Sequence, residues 1–219
     1  MSEAIELEAH DLAALLCSRV CHDVINPVGA IINGLEVLDD DADEETRTFA
    51  FDLIRKSATQ ASAKLQFARI AFGAAGSAGA EIDLGDAEKV ARGLMELEKP
   101  QLAWEAPRAL MPKNQVKLLL NLLLLATAAI PRGGAIKVEV AIAGDGPTFR
   151  LDSTGPSARI PPAFEQLVPG EIAGLAIDAH MIQPYYAGLL ARLANMTVGA
   201  GLEGETVTIL ARPASAAAA

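Results

Sequence analysis

Apolar residues recur at steps of three and four over two long stretches at the start of the chain, which is the spacing of amphipathic helices. The first stretch covers residues 7–38 and the second covers residues 44–72. The acidic run between them, residues 39–45, predicts a turn whose last residues form the negatively charged first turn of the second helix. Gly73 is a suitable helix terminator. A helical hairpin with arms of about 45 Å is therefore predicted.

Each predicted arm has an apolar stripe that is too broad for one partner helix to cover. On the first arm the stripe consists of Leu16, Val20, Val24, Pro27, Ile31, Leu35 and Leu38, widened by Cys17, Cys21, Val28 and Ile32. A second copy of the hairpin, forming a four-helix bundle across a two-fold axis, is the simplest way to bury the remainder. The alternative is that residues 77–219 cover the hairpin within one chain.

Beyond the hairpin the pattern mixes helical and strand periods. The segment GAAGSAGA, residues 73–80, is small and flexible and predicts a linker, so we divide the chain into domains 1–76 and 77–219. In the second domain, helices are predicted over residues 86–98, 114–129 and 177–194, the last interrupted or starting near Pro184, and strands over 135–143, 148–152 and 205–213. The predicted fold class is α+β, with the helical hairpin followed by an α/β sandwich whose helices cover one face of a mostly antiparallel sheet.

Composition narrows the range of partners. The chain has 219 residues, a formal net charge of −10 and a pI of about 4.8. This balance argues against binding to nucleic acid or an anionic membrane and is compatible with a protein partner. The N-terminus has no signal-peptide pattern, and the most apolar run, residues 116–130, is too short to span a bilayer. We expect a cytoplasmic protein whose Cys17 and Cys21 are reduced core residues.

The candidate chemistry centres on His22. On a helix, His22 shares one face with Ser18 and Asn26, and the main apolar line lies about 200° away, so the imidazole is predicted to face outward. An exposed imidazole on a rigid helix can act as a nucleophile toward phosphorus. Asp23 could hold one ring nitrogen protonated, and Arg19 could neutralise phosphoryl oxygens. The competing structural interpretation is a hydrogen-bonded core histidine.

Two further features bear on this helix. Pro27 leaves the carbonyl of Asp23 without its helical partner, so a bend is expected in the turn after His22. A metal site of Cys17, Cys21 and His22 is disfavoured, because His22 points about 100° away from Cys21 and no fourth ligand is nearby.

These residues resemble a known motif. HDVINP, residues 22–27, is similar to the H-box of histidine kinases, His-(Glu/Asp)-x-x-x-Pro. In the second domain, residues 115–130 resemble the N-box helix of the kinase ATP-binding domain, and residues 149–162 resemble its Asp-x-Gly-x-Gly box. The resemblance implies a phosphotransfer helix followed by an ATPase-like domain.

The departures from the kinase pattern are informative. Aligned on Asn121 and Ala126, the N-box has Leu125 where kinases have a magnesium-binding Asn, and an aliphatic side chain cannot ligate Mg²⁺. Ser153 replaces the adenine-reading Asp, Ser157 replaces the second Gly, and the lid is reduced to AGLA, residues 173–176, without the paired glycines that cradle phosphates. Over residues 7–213 the chain therefore resembles the ChpT family of histidine phosphotransferases, with a degenerate ATPase-like domain.

That resemblance implies a homodimer in which His22 takes a phosphoryl group from the receiver domain of a hybrid sensor kinase (CckA-like) and passes it to response regulators (CtrA-like and CpdR-like). No cofactor of its own is expected, and Mg²⁺ would come with the partner receiver. Asp23 would orient His22, Arg19 would contact phosphate or partner, and Asn26 would have a weak phosphatase role. Three alternatives stay open: an active histidine kinase with divergent ATP boxes, a non-catalytic dimer that sequesters a regulator, and a nucleotide-sensing module.

Overall fold

Two long helices form the N-terminal hairpin of the computed structural model, which describes residues 7–40, 43–73, 80–170, 177–178 and 181–214. They are α1 (Ala9–Asp39) and α2 (Glu44–Ala71), within two residues of the predicted bounds. Asp43 is the N-cap residue of α2, and its carboxylate accepts a 2.8 Å hydrogen bond from the Thr46 N–H. This hydrogen bond lowers the pKa of Asp43. The predicted role of the acidic run in starting the second helix is confirmed for its described residues.

The two helices approach closely where their side chains are small. A Cβ atom added to Gly34 would lie 2.7 Å from Cγ1 of Ile54 and 3.3 Å from the carbonyl oxygen of Ala50. Gly34 and Pro27 are the buried residues of α1, and Gly34 faces α2. The hairpin is therefore held by a narrow seam, and most of α1 remains outside it.

The second domain has a five-stranded sheet with helices on one face. Its helices are α3 (Leu84–Met95), α4 (Lys113–Ala129), α5 (Phe164–Leu167) and α6 (Ile182–Leu193). Its strands are β1 (Glu81–Asp83), β2 (Gln101–Glu105), β3 (Leu110–Pro112), β4 (Ala135–Ala143), β5 (Gly146–Thr154), β6 (Met196–Glu203) and β7 (Thr206–Pro213). The main sheet has the order β2-β4-β5-β7-β6, in which β2 and β4 are parallel and the other pairs antiparallel, and β1 pairs with β3 separately.

The predicted α+β class and mostly antiparallel sheet are confirmed, but five elements were missed. Strands β1 and β3 have three residues each, which is too short for a periodic pattern. Strand β6, MTVGAGLE, has two glycines, which are depleted in strands. Strand β2, with five residues, and the single-turn helix α5 were also not predicted. The third predicted helix begins at Ile182, so its start near Pro184 is confirmed.

Helix α4 forms the centre of the second domain. Eleven of its 17 residues are buried, because it packs against α3, α6 and the inner face of the sheet. Alternate residues of β5, including Phe149 and Leu151, point into this core. The other face of the sheet carries ion pairs, such as that between Arg150 and Asp152 at 2.8 Å.

The hairpin packs onto this domain at one end. Phe67 and Ala71, in the last turns of α2, are buried in the same core as α4. The ring of Phe72 lies 5.8 Å from that of Tyr186, and the Leu7 N–H donates a 2.9 Å hydrogen bond to the Tyr185 hydroxyl. Most of the predicted linker, residues 73–80, and the predicted domain boundary after residue 76 lie outside the described residues, so that boundary stays a prediction.

By length and composition alone, α1 is apolar enough to cross a membrane, with a mean hydropathy of 1.3 over its most apolar window. It is the one such helix in the described part of the chain. Core helices of soluble proteins pass the same test, and the apolar residues of α1 partly face α2 and the second domain.

Candidate functional site

His22 lies in the middle of α1 with 75% of its side chain exposed. Ser18 and Asn26, one turn before and after it, are exposed on the same face. The predicted outward orientation is therefore confirmed, and the core-histidine alternative is wrong. The imidazole stands on a continuous helix of 31 residues and is open to a partner.

Arg19 and Asp23 form an ion pair beside His22. The Arg19 Nε donates to Asp23 Oδ2 at 3.1 Å, across one helical turn. The other carboxylate oxygen lies 3.8 Å from His22 Nδ1, which is too long for a hydrogen bond. The predicted orienting hydrogen bond from His22 to Asp23 is thus not formed in this structure, although the carboxylate faces the Nδ1 edge of the ring.

Helix α1 continues through Pro27, which is buried. Gly29, two residues later, has open space around it, since nothing lies within 4 Å of a Cβ atom added there. The surface one turn beyond Asn26 is therefore unobstructed on the side where Gly29 lies.

A second face of α1 is apolar and open. We call it the uncovered stripe, which consists of Cys17, Cys21, Ile25, Val28, Ile32 and Leu35. At 100° per residue these side chains fall within roughly 80° of one another on the helix. Ile25 is 65% exposed and Ile32 is 52% exposed, although both are large and apolar. The second domain packs at one end of the hairpin, and none of the stripe residues packs against its core.

The two cysteines correct a prediction. Cys17 and Cys21 are exposed and are not core residues. They lie on the uncovered stripe, which is turned away from α2, and the apolar pattern did not distinguish that stripe from the seam. The hydrogen bond and charge of Cys17 raise the pKa of the Cys21 thiol.

A cavity of about 220 Å³ lies between the hairpin and the second domain, next to the Arg19–Asp23 pair. Its apolar lining includes Val20, Val24, Phe67, Phe72, Leu94, Met95 and Leu124. Lys64 of α2 and Glu98 of the second domain also line it. The sequence did not reveal this cavity, because it is created by the packing of two segments far apart in the chain.

The positions that resemble ATP-binding boxes lie largely inside the core. Leu125 is buried, 2% exposed, between α4 and its neighbours. Ser153 is fully buried, and its hydroxyl has no hydrogen-bond partner among the described residues. Ser157 has a φ of 62°, in the left-handed region that favours glycine, which is the residue expected there from the kinase box. The shortened lid, residues 173–176, lies outside the described residues.

Among the described residues there is no group of three or more His, Cys, Asp or Glu side chains arranged to hold a metal ion. The candidate site is therefore composed of His22 and the Arg19–Asp23 pair, with Asn26 one turn beyond. Lys64 of α2 lines the same cavity as Arg19 and Asp23.

Comparisons with known proteins agree with this picture. Residues 84–206 match the family model described as the histidine phosphotransferase C-terminal domain. The chain is 50% identical over 211 residues to the protein phosphotransferase ChpT of Brucella abortus (strain 2308), covering 96% of this chain and all of that protein. A solved structure described as a bacterial phosphotransferase is 48% identical, with a TM-score of 0.87, and covers 96% of this chain and all of its own.

Proposed function

Since the chain belongs to the ChpT family of histidine phosphotransferases, we propose that it relays a phosphoryl group between receiver-domain aspartates through His22. The observation that carries the proposal is the exposed imidazole at the first position of an H-box motif on a continuous helix. A receiver domain can approach this face because Ser18 and Asn26 beside it are exposed.

In the proposed transfer, one ring nitrogen of His22 attacks phosphorus and the other carries a proton. Because Asp23 Oδ1 lies on the Nδ1 side of the ring, 3.8 Å away, we assign the proton to Nδ1 and the attacking lone pair to Nε2. Nε2 attacks the phosphorus of the aspartyl phosphate; the N–P bond forms as the O–P bond breaks, and the aspartate leaves as a carboxylate. In the second half-reaction the carboxylate of another receiver attacks phosphorus and His22 leaves. Asp23 balances the positive charge on the imidazole, and Arg19 lies where it can approach phosphoryl oxygens.

The metal in this scheme enters with the receiver. The N-box position that would ligate magnesium is Leu125, an aliphatic side chain in the core, which supports loss of the ATP-dependent step. We therefore propose that the chain has no cofactor of its own and that Mg²⁺ is bound by the receiver that docks on His22. Positioning and charge compensation are then what this chain contributes to the reaction.

A second copy of the chain is the proposed occupant of the uncovered stripe. The stripe is exposed along α1, and none of its residues packs against the core of the second domain. A two-fold arrangement of hairpins would bury these side chains in a four-helix bundle and would leave both His22 side chains outside. This homodimer, in the cytoplasm, would serve a CckA-like hybrid kinase and CtrA-like and CpdR-like regulators.

Transfer between two receivers tests the proposal. A receiver labelled on its aspartate is mixed with the chain and a second, unlabelled receiver, and the label on the second receiver is followed. His22→Ala should abolish this transfer, whereas His10→Ala, which removes another exposed histidine of α1, should leave it intact. Continued transfer by His22→Ala would overturn the proposal.

The same preparation separates the rival functions. Incubation with labelled ATP alone should give no label on the chain, and strong self-labelling would identify an active kinase. A dimer that only sequesters regulators would bind receivers without ever acquiring a label. Calorimetric titration with ATP tests the nucleotide-sensing alternative, for which heat of binding without phosphotransfer is the expected result.

A further inference from the structure

Asn121 makes three buried hydrogen bonds, two of which join α4 to other helices. It lies in α4 with no exposed surface, and its Nδ2 donates to the carbonyl oxygens of Lys117 at 2.8 Å and Ala71 at 3.1 Å. Its Oδ1 accepts a 2.7 Å hydrogen bond from Nε2 of Gln183 in α6. The opposite orientation of the Asn121 amide would place an oxygen against two carbonyl oxygens, so the network fixes the direction of every bond.

The bond to Ala71 crosses between the two parts of the molecule. Ala71 is the last residue of α2, and the last carbonyl groups of a helix have no partner within it. Asn121, in the second domain of the same chain, supplies that partner and thus caps the C-terminal end of α2. Gln183, which is 5% exposed, leaves its own Oε1 without a partner among the described residues. Its orientation is therefore determined by the bond to Asn121.

Neighbours of the network line the cavity that lies next to the Arg19–Asp23 pair. Phe67 and Phe72, on either side of the bond to Ala71, line the cavity together with Arg19, Asp23 and residues of α3 and α4. Breaking the network would free the end of α2 from α4 and α6, and the α3 and α4 side of the cavity would no longer have a fixed distance from Arg19 and Asp23.

We propose that Asn121 is a positioning residue for receiver binding: it holds the second domain against the hairpin, so that the α3 and α4 wall of the cavity is a permanent part of the surface beside His22. The inference rests on the proposed function. A preorganised surface lowers the entropic cost of receiver binding, because the second domain does not have to be ordered on docking. We therefore expect Asn121 to affect the affinity for the receiver and not the chemical step at His22.

Kinetics separate this role from a purely structural one. In Asn121→Leu, which has the same number of side-chain heavy atoms in the same branched arrangement but removes every side-chain hydrogen bond, the KM for the phosphorylated receiver should rise roughly tenfold, with kcat little changed. Labelling of His22 by phosphoramidate, a small donor that needs no docking surface, should keep its wild-type rate. The matched control is Ile136→Val, which removes a buried methyl group from β4, away from the hairpin.

Gln183→Met provides a second variant in case Asn121→Leu does not fold. It removes one bond of the network and keeps the cap on Ala71, so its KM should rise by a smaller factor. Combined with Asn121→Leu, it should add less than its separate effect, because both act through the same network.

The outcomes distinguish the two proposals. If the wild-type chain acquires no label from a phosphorylated receiver, the proposed function fails, whatever Asn121 does. If the wild-type chain is labelled but Asn121→Leu or Gln183→Met has the KM of the Ile136→Val control, only the role of Asn121 is wrong. Equal losses with receiver and phosphoramidate would likewise overturn it, because they would indicate a smaller folded fraction.

Discussion

Helices α1 and α4 are both rich in apolar residues, and each carries a motif similar to a histidine-kinase box. In α4, eleven of 17 residues are buried, including both box positions, Asn121 and Leu125. In α1, only two of 31 residues are buried, and the box histidine is outside. In the proposed function, chemistry with a partner protein takes place on the helix that keeps an open face, whereas the enclosed helix uses its polar side chains to hold the domain together.

The two helices also treat charge differently. Arg19 and Asp23 of α1 remain about one-third exposed and pair with each other in contact with water. Lys117 of α4 is almost fully covered, and burial, with a contribution from Lys113, lowers the pKa of its ammonium group. Burial in α4 thus favours the neutral form of an ionisable group. A phosphoryl acceptor placed there would also be inaccessible to a partner protein.

The largest expected effect comes from restoring the kinase residue in the enclosed helix. Leu125→Asn should destabilise the protein by about 3–5 kcal/mol, because it removes a buried aliphatic side chain and introduces an amide without partners. Chemical denaturation measures the loss, and labelled ATP tests for kinase activity, which we expect to be absent. A stable Leu125→Asn variant that labels itself would show that α4 kept a usable nucleotide site.

The next effect concerns the uncovered stripe of α1. Ile32→Glu should weaken the proposed dimer by about 3 kcal/mol, or more than 100-fold in dissociation constant, because it places one charge per chain in the apolar interface. Sedimentation velocity measures the change. Asn33→Glu adds the same charge to the neighbouring, exposed position outside the stripe and should leave the dimer intact. Equal effects of the two variants would contradict the assignment of the stripe.

Two glycines of α1 give a smaller, paired test. Gly34→Ala should destabilise the hairpin by about 1–2 kcal/mol, because its Cβ would lie 2.7 Å from Ile54 Cγ1. Gly29→Ala meets no atom within 4 Å and should stabilise the helix by about 0.5–1 kcal/mol. Thermal unfolding distinguishes them. If receiver transfer nevertheless slows in Gly29→Ala, the open space at Gly29 belongs to the docking surface.

The smallest effect on stability is expected at the ion pair beside His22. Asp23→Asn should cost less than about 0.5 kcal/mol, since the pair with Arg19 is partly exposed and spans one helical turn. Its effect on transfer should be larger, roughly tenfold in the rate of His22 labelling, because the imidazole loses its neighbouring carboxylate. Stopped-flow kinetics measure the rate of His22 labelling, and Arg19→Lys, which keeps the charge, serves as the more conservative variant. An unchanged rate in Asp23→Asn would show that Asp23 has no role in the transfer.

Much of the fold was predictable because its main elements are long and periodic. The bounds of α1 and α2 and the outward face of His22 follow from apolar spacing alone. The exposure of Cys17 did not, because residues of the seam and of the uncovered stripe have the same apolar pattern and only the packed hairpin separates them. The cavity and the Asn121 network depend on contacts between residues more than 40 positions apart, such as Asn121 and Ala71, which no local pattern encodes.

The most direct test of the account is the chemical identity of the phosphorylated residue. The chain is incubated with a labelled receiver, without ATP. It is then digested under mildly basic conditions, and the labelled peptide is identified by mass spectrometry. The account predicts one phosphorylated residue, His22, with a label that is stable in base and lost in acid, as expected for phosphohistidine. A label on another residue, or one that appears only after ATP is added, would contradict it.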